Sequence, residues 1–231
     1  MDKKVEIRDY IIETIKSSED KGKKLPSENE IANKFDVSRH SVRQIYNELE
    51  KMGRLYSVQG LGRFSSNKDI AIELAMNSKS FTDKMKENNI SLVTKIICAD
   101  VVKSKNKKLE ILFKDKEVFK LARLRIIEGE KAAIHYSYLS TDKFPNIREE
   151  AKTITSITKY YRDKDLNVKY NDKSLLEIEF PTVEDLEILN CNSLVPLLVY
   201  QGTLYDENME LVEYTKTKYR SDIFKYYISN K

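Results

Sequence analysis

The amino-acid sequence predicts an α+β chain in two parts, and three features carry that expectation. Between Leu25 and Met52 a capped helix, a tight turn and a two-faced helix follow one another. A glycine-centred pair of short β-type runs over residues 53–64 closes that segment. Beyond residue 90, β-type runs alternate with helical ones, the pattern of an α+β domain. A length of 231 residues suits two domains, at roughly 100–200 residues each.

The first helix shows an apolar stripe of Val5, Ile7, Tyr10, Ile11 and Ile15, and Lys21-Gly22-Lys23-Lys24 ends it. At the second, the Ser27 hydroxyl can accept an early amide while Glu30 reaches back, a capping box. Ile31, Ala32 and Phe35 then supply its buried face. Asp36-Val37-Ser38 makes the turn, and Ser38 can cap a third helix over residues 39–52. There Val42, Ile45, Tyr46 and Leu49 fall at i, i+3, i+4 and i+7 and pack inward. His40, Arg43, Gln44 and Asn47 repeat the spacing on the other side. They form a row of donors and acceptors long enough to reach base edges in a major groove. In the hairpin, Gly60 and Gly62 let the backbone come close to a phosphate or a minor groove, and Arg63 is expected to lead that contact.

Small polar residues at Ser65-Ser66-Asn67-Lys68 mark a boundary. The expected domains are 1–66 and 80–231, joined by a linker over 67–79 that holds a helix-like run at 70–76. Strands are expected at 91–102, 118–128, 132–140 and 197–205, with 193–200 buried. Helices are expected at 81–88, 154–162 and 182–190.

Composition narrows the function. An apolar fraction of 40% supplies cores and 34% charged residues a solvated surface. No apolar run approaches the ~18–20 residues of a spanning helix, and the N-terminus has no apolar stretch of a signal peptide, so a cytoplasmic protein without membrane contact is expected. Cys98 and Cys191 stand far apart, as do His40 and His135. Without clustered ligand pairs neither a metal nor another cofactor is expected, and the thiols are read as buried fillers. The net charge is +4, and residues 1–66 hold 13 basic against 11 acidic side chains. A nucleic-acid argument therefore rests on placement, not bulk charge.

Arg123 and Arg125, two apart on a strand, share a face, with Leu121 and Leu124 expected to pack elsewhere. Paired guanidiniums repel unless an anion joins them, and each forks around a phosphate or carboxylate. Ser80 and Thr82 open a helix whose free amides favour the same guest. The competing expectation is that both arginines pair with Glu128 or Glu130. Tyr160, Tyr161, Tyr226 and Tyr227 are read as packing.

Residues 5–64 resemble the winged helix-turn-helix of the GntR family of transcription regulators. The resemblance lies in Leu25-Pro26-Ser27-Glu28, then Ile31-Ala32-x-x-Phe35-x-Val37-Ser38-Arg39-x-Ser41-Val42-Arg43, Leu49-x-x-x-Gly53 and Gly60-x-Gly62-x-Phe64. It implies DNA contacts from Ser38, Arg39, Ser41 and Arg43, with Gly60 and Gly62 in the wing. Ser27, Glu28, His40, Gln44, Asn47 and Arg63 complete the expected DNA-facing set. The chain departs from the pattern at Ser41, where threonine is usual, and at Asn29, where a basic residue is frequent. Val58-Gln59 also stands where a basic residue is common, and Arg63 where threonine is usual.

Residues 80–231 resemble the UTRA effector domain of the HutC branch. The matching runs are Ser80-Phe81-Thr82-Asp83-Lys84-Met85, Leu121-Ala122-Arg123-Leu124-Arg125, Tyr138-Leu139-Ser140 with Phe144-Pro145, and Val212-Glu213-Tyr214 with Tyr219-Arg220-Ser221-Asp222. The resemblance implies a chorismate-lyase-like α+β fold on an antiparallel sheet, and a small anionic effector such as a phosphorylated sugar. It implies an effector site of Ser80, Phe81, Thr82, Arg123, Arg125, His135, Ser156, Glu213 and Tyr219. His135 stands where many relatives carry glutamate. The expected protein is a homodimeric repressor that binds double-stranded operator DNA. A lyase-like enzyme on the same fold is the alternative, but no catalytic triad, His–carboxylate pair or metal cluster supports it, and none of these residues is read as catalytic. A winged helix turned to protein binding is a further alternative.

Overall fold

The computed structural model describes residues 2–17, 22–66, 70–73, 80–102, 107–114, 117–171 and 173–227. Along the chain run α1 (Lys3–Lys16), α2 (Glu28–Phe35), α3 (Arg39–Lys51), β1 (Leu55–Val58), β2 (Gly62–Ser65) and β3 (Ile70–Glu73). Then come α4 (Phe81–Glu87), β4 (Leu92–Val102), α5 (Lys107–Phe113), β5 (Val118–Ile127), β6 (Glu130–Ser140), α6 (Ile147–Glu150) and α7 (Ile157–Asp163). The chain closes with β7 (Lys169–Tyr170), β8 (Leu175–Glu179), α8 (Val183–Leu189), β9 (Leu197–Tyr205), β10 (Leu211–Arg220) and β11 (Phe224–Tyr227). No described helix is long and apolar enough to cross a membrane.

The chain folds into two compact units. The first takes Met1–Ala71 with Phe180–Pro196 and Arg220–Tyr226. In it α1, α2 and α3 close around Ile7, Ile11, Ile31, Val42, Ile45, Tyr46 and Leu49, the apolar positions that helical spacing singled out. Each helix begins on a side-chain cap, from Asp2, Ser27 and Ser38. Asp36 ends α2 in the left-handed conformation, which turns the chain into α3 within two residues. β1 and β2 form the antiparallel hairpin, and the Leu25 amide donates to the Arg63 carbonyl at 2.8 Å, tying the hairpin to the entry of α2.

The second unit takes Ile72–Glu179, Leu197–Tyr219 and Tyr227–Lys231. Its seven-stranded sheet runs β4-β5-β6-β10-β9-β7, with β8 also on β9. β4, β5, β6 and β10 pair antiparallel in turn. Phe119, Leu121, Leu139 and Val212 join one core cluster with Phe144, Ile154, Tyr160 and Tyr161. In another, Val118 and Tyr214 meet Leu109 and Phe113 of α5.

Two stretches depart from expectation. Of 193–200, expected to be buried, Ser193 and Leu194 are exposed and the strand begins only at Leu197. Ile70–Glu73, within the run read as helix-like, is a strand paired with β11. Two β-branched isoleucines at i and i+2 suit a strand, and a partner some 150 positions downstream satisfies its backbone, which local pattern cannot anticipate. Leu74, Ala75 and Met76 of that run lie outside the described residues, as do 67–69 and 77–79 of the expected linker. Cys98 and Cys191, expected as buried fillers, are free thiols of intermediate burial.

Candidate functional sites

The first site is the exposed face of α3 with the hairpin beside it. The capping box of α2 is complete: the Ser27 hydroxyl accepts the Glu30 amide at 3.2 Å and Glu30 accepts the Ser27 amide at 2.6 Å. That geometry turns the neighbouring Glu28 carboxylate toward α3. Arg43 donates to it through Nε, 3.1 Å from each oxygen, and through Nη2 at 2.9 Å. Arg63 donates through Nη1 at 2.9 Å, and Arg39 stands 3.9 Å away. The Arg43 hydrogen bonds, with Arg63 adding to them, hold the Glu28 carboxyl below its usual value against the opposing effect of burial.

Arg43 is still 53% exposed, so its guanidinium can meet a partner from solution. Ser38 accepts the Ser41 amide at 3.1 Å and pairs with the Ser41 hydroxyl at 2.9 Å. His40 and Gln44 pair at 3.1 Å across one turn of the exposed face. Gly60 and Gly62 take φ of 77° and 114°, conformations that side chains resist, and nothing stands within 4 Å of a Cβ placed on Gly60. A cleft lined by Ser27, Glu28, Arg39, Gly60, Gly62 and Arg63 opens between the start of α2 and the hairpin tip. Arg63 itself is turned inward. Its side chain is 19% exposed, over the Tyr46 ring at 4.6 Å and 3.5 Å from the Asn47 amide oxygen.

The second site follows from strand register. Thr94 on β4 faces Arg125 on β5, Arg123 faces His135 on β6, and His135 faces Thr217 on β10. Residues opposite one another or two apart share a face of a sheet. Thr94, Arg125, Arg123, His135, Ser137, Glu213 and Tyr219 therefore all stand on one face. Leu121, two before Arg123, shares it too, where Leu121 was expected to pack elsewhere. It lies at the apolar end, next to Phe119 and Leu139.

Arg123, Arg125, His135 and Glu213 are all buried. Arg123 donates to the Ser137 hydroxyl at 2.7 Å, and Glu213 accepts from the Tyr161 hydroxyl at 2.8 Å and from Ser137. Arg125 donates to the Thr94 hydroxyl at 2.6 Å and to the Thr155 carbonyl at 2.9 Å. The His135 ring meets Phe81 and Tyr219 edge-on, with centroids at 4.8 and 5.5 Å.

This is a costly place for charge. Burial, with Arg123 beside it, pushes the Arg125 guanidinium down to about 9, and burial likewise lowers Arg123 against the pull of Glu213. Burial and the two guanidiniums hold His135 well below its ordinary value, so it is neutral near pH 7. Burial raises Glu213, opposed by Ser137, Arg123 and Tyr161. Among the described residues, four buried polar atoms of this cluster lack a hydrogen-bond partner, Arg123 Nε and Nη1, Arg125 Nε and His135 Nε2, as does the Thr82 hydroxyl on α4. A buried donor without a partner costs about 1–3 kcal/mol, more when charged.

Among the residues expected here, Ser80 is buried and caps α4 by accepting the Asp83 amide at 3.0 Å. Ser156 does not join by its side chain: it caps α7, and its neighbour Thr155 reaches Arg125 by the backbone carbonyl. Glu128 accepts the Ser91 amide, so it is no simple counter-ion for the arginines. Sequence reasoning missed Thr94, Ser137 and Tyr161. Ser137 lies two residues after His135, and strand periodicity alone could have found it. Tyr161 packs on Phe144 as expected and carries a hydrogen bond besides.

Two family models match this chain: "Bacterial regulatory proteins, gntR family" over residues 3–64 and "UTRA domain" over residues 95–225. The chain is 27% identical over 204 residues to the HTH-type transcriptional repressor NagR of Bacillus subtilis, covering 87% of this chain and 83% of that one. It is 25% identical over 229 residues to the mannosyl-D-glycerate transport/metabolism system repressor MngR of Escherichia coli, covering 96% and 92%. Its fold is similar to the crystal structure of PhnF from Mycobacterium smegmatis, with a TM-score of 0.64 at 19% identity over 97% of this chain and 99% of that one.

Proposed function

The chain belongs to the GntR family of bacterial regulators, in its UTRA-bearing branch, and from that membership we propose a homodimeric operator-binding repressor set by a small anionic effector. α3 enters the major groove, where Arg43, His40, Gln44 and Asn47 face base edges. Ser27, Glu28, Ser38, Arg39 and Ser41 frame the adjoining backbone, and Gly60 and Gly62 bring the wing against a phosphate. It acts in the cytoplasm, where the operator is. The alternatives of a lyase-like enzyme and of a protein-binding winged helix gain nothing from the relatives, which are named repressors.

One observation carries the effector assignment: four unpartnered buried polar atoms, three of them on guanidiniums, stand on one face of the sheet, with the unpartnered Thr82 hydroxyl on α4. A phosphate or carboxylate supplies acceptors to Arg123 and Arg125, and a sugar hydroxyl suits the neutral imidazole of His135 and the Thr82 hydroxyl. Phe81 and Tyr219 flank that position. Several relatives are named for sugar-derived compounds, mannosyl-D-glycerate and fructoselysine among them, which favours a sugar-derived effector. The test is thermal melting of the purified chain against sugar phosphates, phosphonates and amino-acid derivatives. At about 100 times its dissociation constant a ligand adds roughly 2.7 kcal/mol, a visible shift. The expected outcome is a shift by a phosphorylated compound that Arg123→Ala abolishes; a shift that survives the substitution would place the anion elsewhere.

A further inference from the structure

The head group of the wing arginine is turned inward. Nη1 of Arg63 bonds Glu28 at 2.9 Å and Nη2 lies 3.5 Å from the Asn47 amide oxygen. The guanidinium stands over the Tyr46 ring at 4.6 Å, and Nε is buried without a hydrogen-bond partner among the described residues. Its backbone is held as well, since the Arg63 carbonyl accepts the Leu25 amide at 2.8 Å. We propose that Arg63 is a positioning residue that locks the wing to α3 through Glu28 and Asn47 without touching DNA.

Two consequences give the lock a function. Glu28 divides one carboxylate between the hydrogen-bonded guanidiniums of Arg43 and Arg63, with Arg39 3.9 Å away, so Arg63 limits how far Glu28 draws Arg43 away from the exposed face. Loss of Arg63 leaves Arg43 as the main partner of that carboxylate, and a base or phosphate must then compete with an undivided ion pair. At the same time Arg63 occupies the carbonyl end of the exposed Asn47 amide, which leaves its NH2 as the end available to a base-edge acceptor. Operator affinity therefore depends on a residue that makes no contact with the operator.

The inference rests on the DNA-binding reading, which the wild-type chain tests by itself when it selects a duplex from a random pool. Binding of the full chain to that selected duplex is then followed by fluorescence anisotropy as a function of salt, with the melting temperature of each variant alongside. Arg63→Thr is expected to weaken binding about ten-fold with the salt slope unchanged, because no phosphate contact is lost. Arg63→Lys, which keeps a positive charge for Glu28 but loses the fork that also reaches Asn47, is expected to fall between wild type and Arg63→Thr. In a Glu28→Gln background Arg63→Thr costs less than the roughly ten-fold it costs in the wild-type chain, since the share of its effect that runs through that carboxylate is already lost. Arg63→Gln serves in place of Arg63→Thr if the latter does not fold. A slope that falls by about 0.9 for each lost arginine would make Arg63 a phosphate contact and overturn the proposal. Additive losses in the double variant, or unchanged affinity in both single variants, would overturn it equally.

Discussion

Two charged residues, Arg123 and Glu28, show how differently burial acts on a side chain. Arg123 is held in the sheet with a hydroxyl as its direct hydrogen-bond partner, two nitrogens unbonded and the buried Glu213 carboxyl as its opposing charge. Removing one partner of a buried charge pair is destabilising by about 3–5 kcal/mol, whereas replacing both by apolar side chains of similar volume is often neutral or stabilising by about 1–4 kcal/mol. Arg123→Met is therefore expected to lower the melting temperature of the ligand-free protein while removing its response to a phosphorylated sugar, and Arg123→Met with Glu213→Leu to recover it; an unchanged melting temperature in the single variant would show that Glu213 does not depend on Arg123. Glu28 is the opposite case, a carboxylate whose pKa is depressed by the Arg43 and Arg63 hydrogen bonds. A depressed carboxyl contributes stability above its unfolded value and loses it as pH falls through the folded one. The melting-temperature gap between wild type and Glu28→Gln is thus expected to be widest near pH 6 and to narrow as pH falls below the ordinary carboxylate range of roughly 4. Neither role was legible in full. A pair of arginines two apart announces an anion, but the missing partners of Arg123 become visible only when four strands are in register. The inward turn of Arg63 depends on Glu28 lying 35 positions earlier in the chain, and residue type alone assigned it outward.

Elements were legible where the cause of their structure is local. The recognition helix is an example: Ser38 stops the turn and the Val42, Ile45, Tyr46 and Leu49 stripe sets its face, so its limits and orientation follow from a dozen residues. Ser38→Ala removes the acceptor for the Ser41 amide and the partner of the Ser41 hydroxyl. Removing such a cap costs about 1 kcal/mol, and the loss is expected as a lower melting temperature of the N-terminal unit that Ser38→Asp restores. Strands β4, β5, β6 and β9 were legible from their β-rich runs in the same way. What escaped depends on distant partners. β3 needs β11, and β8, with Leu176 and Ile178 exposed, reads as a strand only once β9 lies beside it. α5 is a single short helix whose Leu109 and Phe113 are explained by Val118 and Tyr214, not by their own spacing.

Over the whole molecule, repression needs the effector site and the DNA face to be coupled, and the strength of that coupling can be bounded. A ligand shifts an equilibrium only by its difference in affinity for the two states. Typical coupling between two sites is about 1–3 kcal/mol, a change of roughly 5–150-fold in affinity. Linkage requires the same factor in both directions. The selected duplex at saturation must change the dissociation constant of the effector as much as the saturating effector changes that of the duplex. Titration calorimetry of the compound with the largest melting shift, with and without duplex, measures one direction, and anisotropy of labelled duplex, with and without that compound, the other. Equal factors well above one are expected, and Arg123→Ala should bring both to one together while leaving affinity for the duplex alone intact. An effector that binds with equal strength in the presence and absence of duplex would mean that the buried cluster stabilises the fold without governing the reader.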